Sequence, residues 1–412
     1  MVIGLIHALG KLTDGEEQYV ILTNTSAPDW VRPYIGPNMQ IIVRPNSMTT
    51  YNEKISLKVV KSAIPEIIKR PWRRVRRRIY QKLLYRKVKN NCRICSQDGF
   101  IESLGLDVIH FPYQSMELCA VPSVFNPHDL QHLHLPEFFT KESIRLRETW
   151  YRLWCRYAKI VVVATEWVKN DLVSKYNIDR NKIYTIPFGA PTEAYKEVSS
   201  ENLYQAIEKF GLPKIFALYP AQTWAHKNHI RLLEAIALLR DRHNFMVQIV
   251  CTGRQNDFFP NIIDNMTKLG LDHQVRFLGF VDPEELRALY KLAQFVILPT
   301  LFEADSFPLI EAWFEGTPVA CSNVTCLPKQ AGNAAYLFNP WSVQSIAYAL
   351  LRMSRDDKLR GDLSRYGTER IRLFSWERTA RMYRTVYRKL ANYSSSEEDK
   401  HLLKCSLEIP FF

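Results

Sequence analysis

The chain has 412 residues, 47% of them hydrophobic, which is enough to bury two α/β cores and too much for a disordered chain. Lys and Arg outnumber Asp and Glu by 55 to 42, a formal net charge of +13, so an anionic partner is expected. No run of 18 apolar residues exists, and the first residues lack a basic start and a cleavage site; the expectation is a cytoplasmic chain, at most peripheral at the inner face of a membrane.

In chain order, VIGLIHALGKL reads as a helix with Ile3, Ile6, Leu9 and Leu12 on one face. Strand-like runs follow at Tyr19 to Leu22, Gln40 to Val43, Val108 to Phe111, Ser123 to Phe125, Ile160 to Val163 and Ile183 to Ile186. A doubly wound domain opens instead with a strand and a glycine-containing turn, so the first sheet is expected to lack its first, central strand and to leave two inner edges unpaired. The expectation is that the true start lies upstream or that the chain is a fragment; the alternative is that the first residues form an unusual strand.

Residues 61–93 carry thirteen Lys or Arg against Glu66 alone, so nearly the whole charge imbalance is local. Ile68, Trp72, Val75, Ile79 and Leu83 recur there at helical spacing beside Arg73, Arg74, Arg76, Arg77 and Arg78, an amphipathic pattern suited to an anionic membrane surface. Nucleic-acid binding and a solvated helix packed on the sheet are the alternatives, and no nucleic acid is expected as partner. Cys92 and Cys95 form a lone CRIC, too little for zinc without a second pair. Cys155, Cys251 and Cys321 fall within strand-like or helical runs and read as buried small apolar residues, not as a disulfide framework.

From Lys214 onward, Ile215 to Tyr219, Val247 to Cys251, Val275 to Leu278, Phe295 to Leu298 and Pro318 to Cys321 alternate with helical patterns, which argues for a parallel sheet covered on both faces. Lys227, in YPAQTWAHKNHI, lies at the opening of a helix, where an ammonium group and unsatisfied N–H groups together suit a diphosphate. Glu303 and Glu311, in EADSFPLIE, follow the FVIL strand; Glu303 is placed in the loop and Glu311 in the first helical turn, where two carboxylates can accept from separate hydroxyl arrays. After Ser375 a helical pattern with a good N-cap runs to the region of residue 391, and the tail after Asn392 loses periodicity and is expected to add little to the fold.

The order HKN, then VRFLGFVDPEELRALYKLAQFVILPTLFEADSFPLIEAWFEGTPVACSNVTCLP, then AGNAAYLFNP, resembles the C-terminal half of retaining glycosyltransferases of family 4. DVIHFPYQ, VPSVFNPHDLQHLHLPEFF, AKIVVVATEWVKNDL and KIYTIPFGAP resemble the N-terminal half, in its mannosyltransferase-like branch. The resemblance implies a GT-B fold, α/β, with two Rossmann-like domains facing across a cleft. Residues 1–190 would form the acceptor-side domain, 191–212 the linker, 213–374 the nucleotide-sugar domain, 375–391 a helix crossing back and 392–412 the tail.

It also implies roles. Glu303 would lie against the donor sugar near the reacting centre and Glu311 would accept from the ribose. Lys227 would hold the diphosphate, the backbone at Ser306 and Phe307 would contact sugar and phosphate oxygens, and His128 would stand beside the transferred sugar. No cofactor and no metal is expected, since no carboxylate cluster completes a site with His128, His132 and His134. The implied reaction transfers a hexosyl group from a nucleoside diphosphate sugar to a lipid-linked or saccharide acceptor, with retention. Three positions depart from the pattern. Gln222 stands where many members have arginine, with Arg254 as a substitute; Lys329 stands where glutamate is common, and Ser306 where glycine is common. A non-catalytic sugar- or membrane-binding relative is therefore the second reading, and a nucleotide-sugar epimerase a third.

Overall fold

The computed structural model describes residues 1–23, 29–44, 99–190 and 197–404. The basic segment at 61–93, with Trp72, Arg73, Arg74, Arg76, Arg77 and Arg78, and the Cys92 and Cys95 pair lie outside the described residues.

The first element is a helix, α1 (Val2–Lys11), and no strand precedes it among the described residues. β1 (Tyr19–Thr23) and β2 (Met39–Val43) form a parallel pair by themselves. β3 (Ile109–Phe111), β4 (Ser123–Phe125), β5 (Ile160–Val163) and β6 (Ile183–Thr185) form a second parallel sheet in that order. The IVVV run of β5 is buried throughout, as a strand covered on both faces requires. Flanking helices α2 (Lys141–Tyr157) and α3 (Glu166–Tyr176) start where Thr140 and Thr165 accept from the N–H groups of Ser143 and Val168. Among the described residues the first lobe thus has its strands in two sheets, one of two and one of four, in keeping with the expectation of unpaired inner edges.

The second lobe is one six-stranded parallel sheet. β7 (Ala217–Pro220), β8 (Ile249–Thr252), β9 (Val275–Phe277), β10 (Phe295–Leu298), β11 (Val319–Ser322) and β12 (Tyr336–Phe338) lie in the order β12-β11-β10-β7-β8-β9. The chain order reverses between β7 and β10, so the loops after those two strands diverge and leave a crevice at their carboxyl ends. Of the helices covering this sheet, α4 (His229–His243), α5 (Pro283–Leu292) and α6 (Phe307–Phe314) bear on the site. β12 is absent from the strand-like runs read from the sequence.

Helix α7 (Trp376–Ala391) returns to the first lobe, where Trp376, Ala380, Tyr383 and Val386 share a core with Leu5, Val124 and Ile160. Its indole N–H at Trp376 donates to the carbonyl of Ala190 at 2.8 Å. α1 can lie this close because residue 4 is glycine; a Cβ there would sit 2.2 Å from the Trp376 ring.

The reading of the tail as adding little is corrected by α8 (Glu397–Lys404), which packs on α7. Asp399, only 2% exposed, accepts from Arg381 at 2.8 Å and from Arg384 at 3.2 Å. The segment is held by this buried charge pairing and by Leu402 and Leu403, which pack against the core that α7 shares with the first lobe; two adjacent leucines are too short a pattern to read from the sequence. No described helix is long and apolar enough to cross a membrane.

Candidate active site

The loops after β7 and β10 are tied together before any side chain reaches the crevice. After β7 the chain makes a 3-10 turn, Ala225–Lys227, and Asn228 adopts φ 65° ahead of α4. The Asn228 amide donates to the carbonyls of Pro299 and Pro340, both at 2.9 Å, and the N–H of Leu301 donates to the carbonyl of His226 at 2.8 Å. Lys227 and Glu303 are thereby brought over the crevice, where Nζ lies 2.5 Å from Oε1. The main chain of Glu303 is fixed from a third loop, since its N–H donates to the hydroxyl of Thr325 at 3.1 Å.

Glu311 is the fifth residue of α6, one turn deeper than the sequence placed it. Its Oε2 accepts from the phenol of Tyr290, on α5, at 2.5 Å. Burial pushes the Glu311 carboxyl above the usual range, and the Tyr290 hydrogen bond opposes that shift. Ser306 precedes the helix, fully buried, with its N–H donating to Gln330 Oε1 at 3.0 Å, and Phe307 opens the first turn.

Two groups at this site escaped the sequence reading. Tyr290 reads as an ordinary apolar-face residue of an amphipathic helix, and nothing in its neighbours advertises a buried hydroxyl. Asp305 is a third carboxylate within EADSFPLIE, a signal that was available. Gln330 Nε2 donates to its Oδ1 at 2.9 Å, and burial, with Glu303 beside it, pushes its carboxyl up to about 7.

From the first lobe, His128 follows β4 with φ 64°, a left-handed conformation that turns its ring back toward the loop after β3. Its Nε2 lies 2.8 Å from the carbonyl of Pro112, which can only accept, so Nε2 carries the proton and Nδ1 is left as an acceptor. Burial holds the imidazole below its usual range and keeps it neutral. The lobes meet here: the ring of Phe188 neighbours His128 at 6.3 Å and stacks on Phe307 at 5.8 Å, and the Thr165 hydroxyl donates to the carbonyl of Ala304 at 2.8 Å. His128 therefore lies at the seam where the first lobe meets the loop of Ala304 and the first turn of α6.

Gln222 is not drawn into this group. It is exposed, with Oε1 accepting from the Trp224 indole at 3.0 Å. Arg254 is exposed on the loop after β8, where its carbonyl accepts from Thr223 at 3.2 Å. That loop passes so close to the Gln222 loop that Gly253, at φ 122°, has no room for a Cβ: the Ala221 backbone would be 2.6 Å away. Lys329 is exposed on the short helix Leu327–Ala331. His132 and His134 serve the fold, facing Glu148 at 3.0 Å and Asp171 at 2.8 Å. Burial alone would raise the Glu148 carboxyl, but hydrogen bonds from His132, Tyr176 and Arg152 outweigh it and bring it down to about 2. Among the described residues no group of three or more His, Cys, Asp or Glu side chains could hold a metal ion.

Two family models divide the chain between them, Glycosyltransferase Family 4 over residues 41–194 and Glycosyl transferases group 1 over residues 201–370. The chain belongs to the group 1 glycosyltransferases of family 4. The break between the two matches falls between the lobes, and the second match contains Lys227, Glu303 and Glu311. This glycosyltransferase is 26% identical over 267 residues to O-antigen chain mannosyltransferase B of Escherichia coli, spanning 64% of this chain and 69% of that protein. It is 29% identical over 255 residues to D-inositol 3-phosphate glycosyltransferase of Corynebacterium glutamicum (strain R), spanning 59% of this chain and 60% of that one. In fold it matches Anabaena HepE in complex with UDP-glucose, with a TM-score of 0.64 and 15% identity over 94% of this chain and 95% of that one. The GT-B architecture expected from the sequence is therefore the observed one.

Proposed function

We propose that this glycosyltransferase moves a hexosyl group, with mannosyl as the first candidate, from a nucleoside diphosphate sugar to a lipid-linked or saccharide acceptor in envelope polysaccharide or glycolipid synthesis, with retention at the anomeric carbon. One observation carries the reading: Lys227 and Glu303 are paired at the point where strand order reverses, with Glu303 on the loop that leads into the helix bearing Glu311.

As the bond from the anomeric carbon to the diphosphate breaks, negative charge grows on the departing oxygen and positive charge on the sugar. Lys227 can turn from Glu303 to the diphosphate, where the N–H groups at the start of α6 add to its effect. Glu303, released, then lies against the sugar. Glu311 keeps one oxygen for Tyr290 and has the other for the ribose. His128 is neutral and presents Nδ1 as an acceptor, so it can hold a sugar hydroxyl without repelling the positive charge. None of these roles calls for a metal or a resident cofactor. The mannosyl lean is supported by the likeness to a mannosyltransferase, and the UDP-glucose in HepE keeps the nucleotide base open. The basic segment at 61–93 would bring the enzyme to an anionic inner membrane face, where a lipid-linked acceptor is met; nucleic acid has no part in this reading.

The test is release of free nucleoside diphosphate from GDP-mannose, UDP-glucose and ADP-glucose in the presence of membrane lipid extract. One donor should turn over, and Glu303→Gln should slow it on the order of 100-fold. The neutral, exposed Gln222 favours a second reading, a non-catalytic sugar-binding protein, for which a donor binds and no diphosphate is released.

A further inference from the structure

The loop that carries Glu303 toward α6 has a second carboxyl two residues on, and its surroundings differ from those of the other sequestered acids. Asp399 accepts from two arginines, and Glu315 is paired with Arg287 and Lys291. Asp305, half-buried as a residue, has no Lys or Arg paired with it among the described residues. Its Oδ1 accepts from the neutral Gln330 amide at 2.9 Å, and its Oδ2 is sealed from solvent with no hydrogen-bond partner. An ionised carboxylate so placed keeps most of the cost of leaving water, whereas a proton on Oδ2 removes the charge and leaves the Gln330 bond intact.

Gln330 is fixed for this contact. It stands on the short helix Leu327–Ala331, 5% exposed, with Oε1 accepting from the Ser306 N–H at 3.0 Å and its main-chain carbonyl accepting from the buried Arg370 at 2.6 Å. The titratable groups that face Asp305 are Glu303 from its own loop, the Cys326 thiol ahead of the short helix and the Met1 ammonium at the start of α1. Burial holds the thiol well above its usual range, so it stays neutral. Glu303 has its charge balanced by Lys227, 2.5 Å away, for as long as that pair lasts.

We propose that Asp305 is a positioning residue for Glu303: held as the neutral acid by its sealed setting beside Gln330, it lets Glu303 stay ionised against the donor sugar after Lys227 has turned to the diphosphate. The inference deepens the donor reading and rests on it. Once the ammonium has turned away, Glu303 faces a sugar that is gaining positive charge, with two phosphates nearby. A second anion two residues off would push Glu303 aside or draw a proton onto it, and in either case the sugar loses a negative partner. The two carboxyls share one proton, which rests on Asp305 and leaves the charge to Glu303. Because the Asp305 carboxyl is pushed up to about 7, that division is complete below neutral pH and is lost as pH rises.

Infrared spectra of the free protein and pH profiles of turnover test this together. The parent should show a protonated carboxylic acid band at pH 6 that disappears by pH 8.5 and is missing from Asp305→Asn at both. With the donor that turns over, kcat/KM of the parent should fall about tenfold between pH 6.5 and pH 8.5, and kcat should fall at higher pH than kcat/KM, because bound diphosphate favours the proton. His128 and His226, held below their usual range by burial, are neutral throughout this window. Asp305→Asn, neutral and of the same shape, should abolish the alkaline fall. Gln330→Leu removes the bond that favours the ionised form, so it should move both the fall and the loss of the band up by about half a pH unit or more, and this shift decides the matter if Asp305→Asn does not fold. An alkaline fall that persists in Asp305→Asn, a Gln330→Leu profile that loses height without moving, or a parent with no acid band would overturn the proposal. Turnover of no donor would remove the role along with the donor reading, and the band, which needs no donor, tells that failure from a failure of Asp305 to hold its proton.

Discussion

Lys227 and Glu303 were legible in the sequence because each follows a short apolar strand whose end is marked, by Pro220 in one case and Pro299 in the other. What the sequence did not give is the set of groups that hold them. Tyr290 bonds Glu311 from 21 residues upstream, on another helix, and that pairing exists only once α5 and α6 are packed together. Tyr290→Phe removes the one hydrogen bond opposing the burial of Glu311, so its carboxyl should rise further and nucleotide affinity should fall about tenfold, measurable by calorimetric titration. His229 offers a test of stability at the same loop. Its ring, 2% exposed, lies 4.7 Å from that of Tyr219 and 6.0 Å from that of Phe277, and neither ring nitrogen has a partner. Burial, aided by Lys227, drives the imidazole down to about 3. An unfolded histidine takes up a proton near pH 6.5 and the folded one does not, so stability is intact above that pH and is lost as pH falls toward 3, by about 1.4 kcal/mol per unit. In His229→Phe the urea midpoint should change less between pH 7 and pH 5 than in the parent.

At the scale of elements, the periodic ones were readable and the charge-held ones were not. β4, β5 and β10 fall where their apolar runs do, because a strand buried on both faces leaves a continuous apolar stretch. α8 is held by Leu402 and Leu403 on the core and by Asp399 with Arg381 and Arg384, charged residues that a sequence reader assigns to solvent. Arg384 is 1% exposed and pairs with Asp14 as well, so the tail, α7 and the loop after α1 form one clasp. Asp399→Ala leaves a buried guanidinium with one partner instead of two. The expected loss is about 3 kcal/mol of unfolding free energy, read from the shift of the urea midpoint at unchanged slope.

Across the whole molecule, the parallel sheets of the two lobes present the carboxyl ends of their strands to one cleft, and the chemistry gathers where strand order reverses. That arrangement follows from the alternation of strands and helices, which is why the fold could be read before any side-chain contact was known. The approach of His128 to the second lobe could not, since it depends on Phe188 stacking on Phe307 and on a left-handed turn at the histidine itself. In the proposed function the second lobe holds the nucleotide of the donor through Glu311. Calorimetric titration of GDP, UDP and ADP into the parent and into Glu311→Ala tests it most directly. One nucleotide should bind the parent, with its affinity falling at least tenfold in Glu311→Ala; equal affinity for both proteins, or binding of none of the three, would contradict that role.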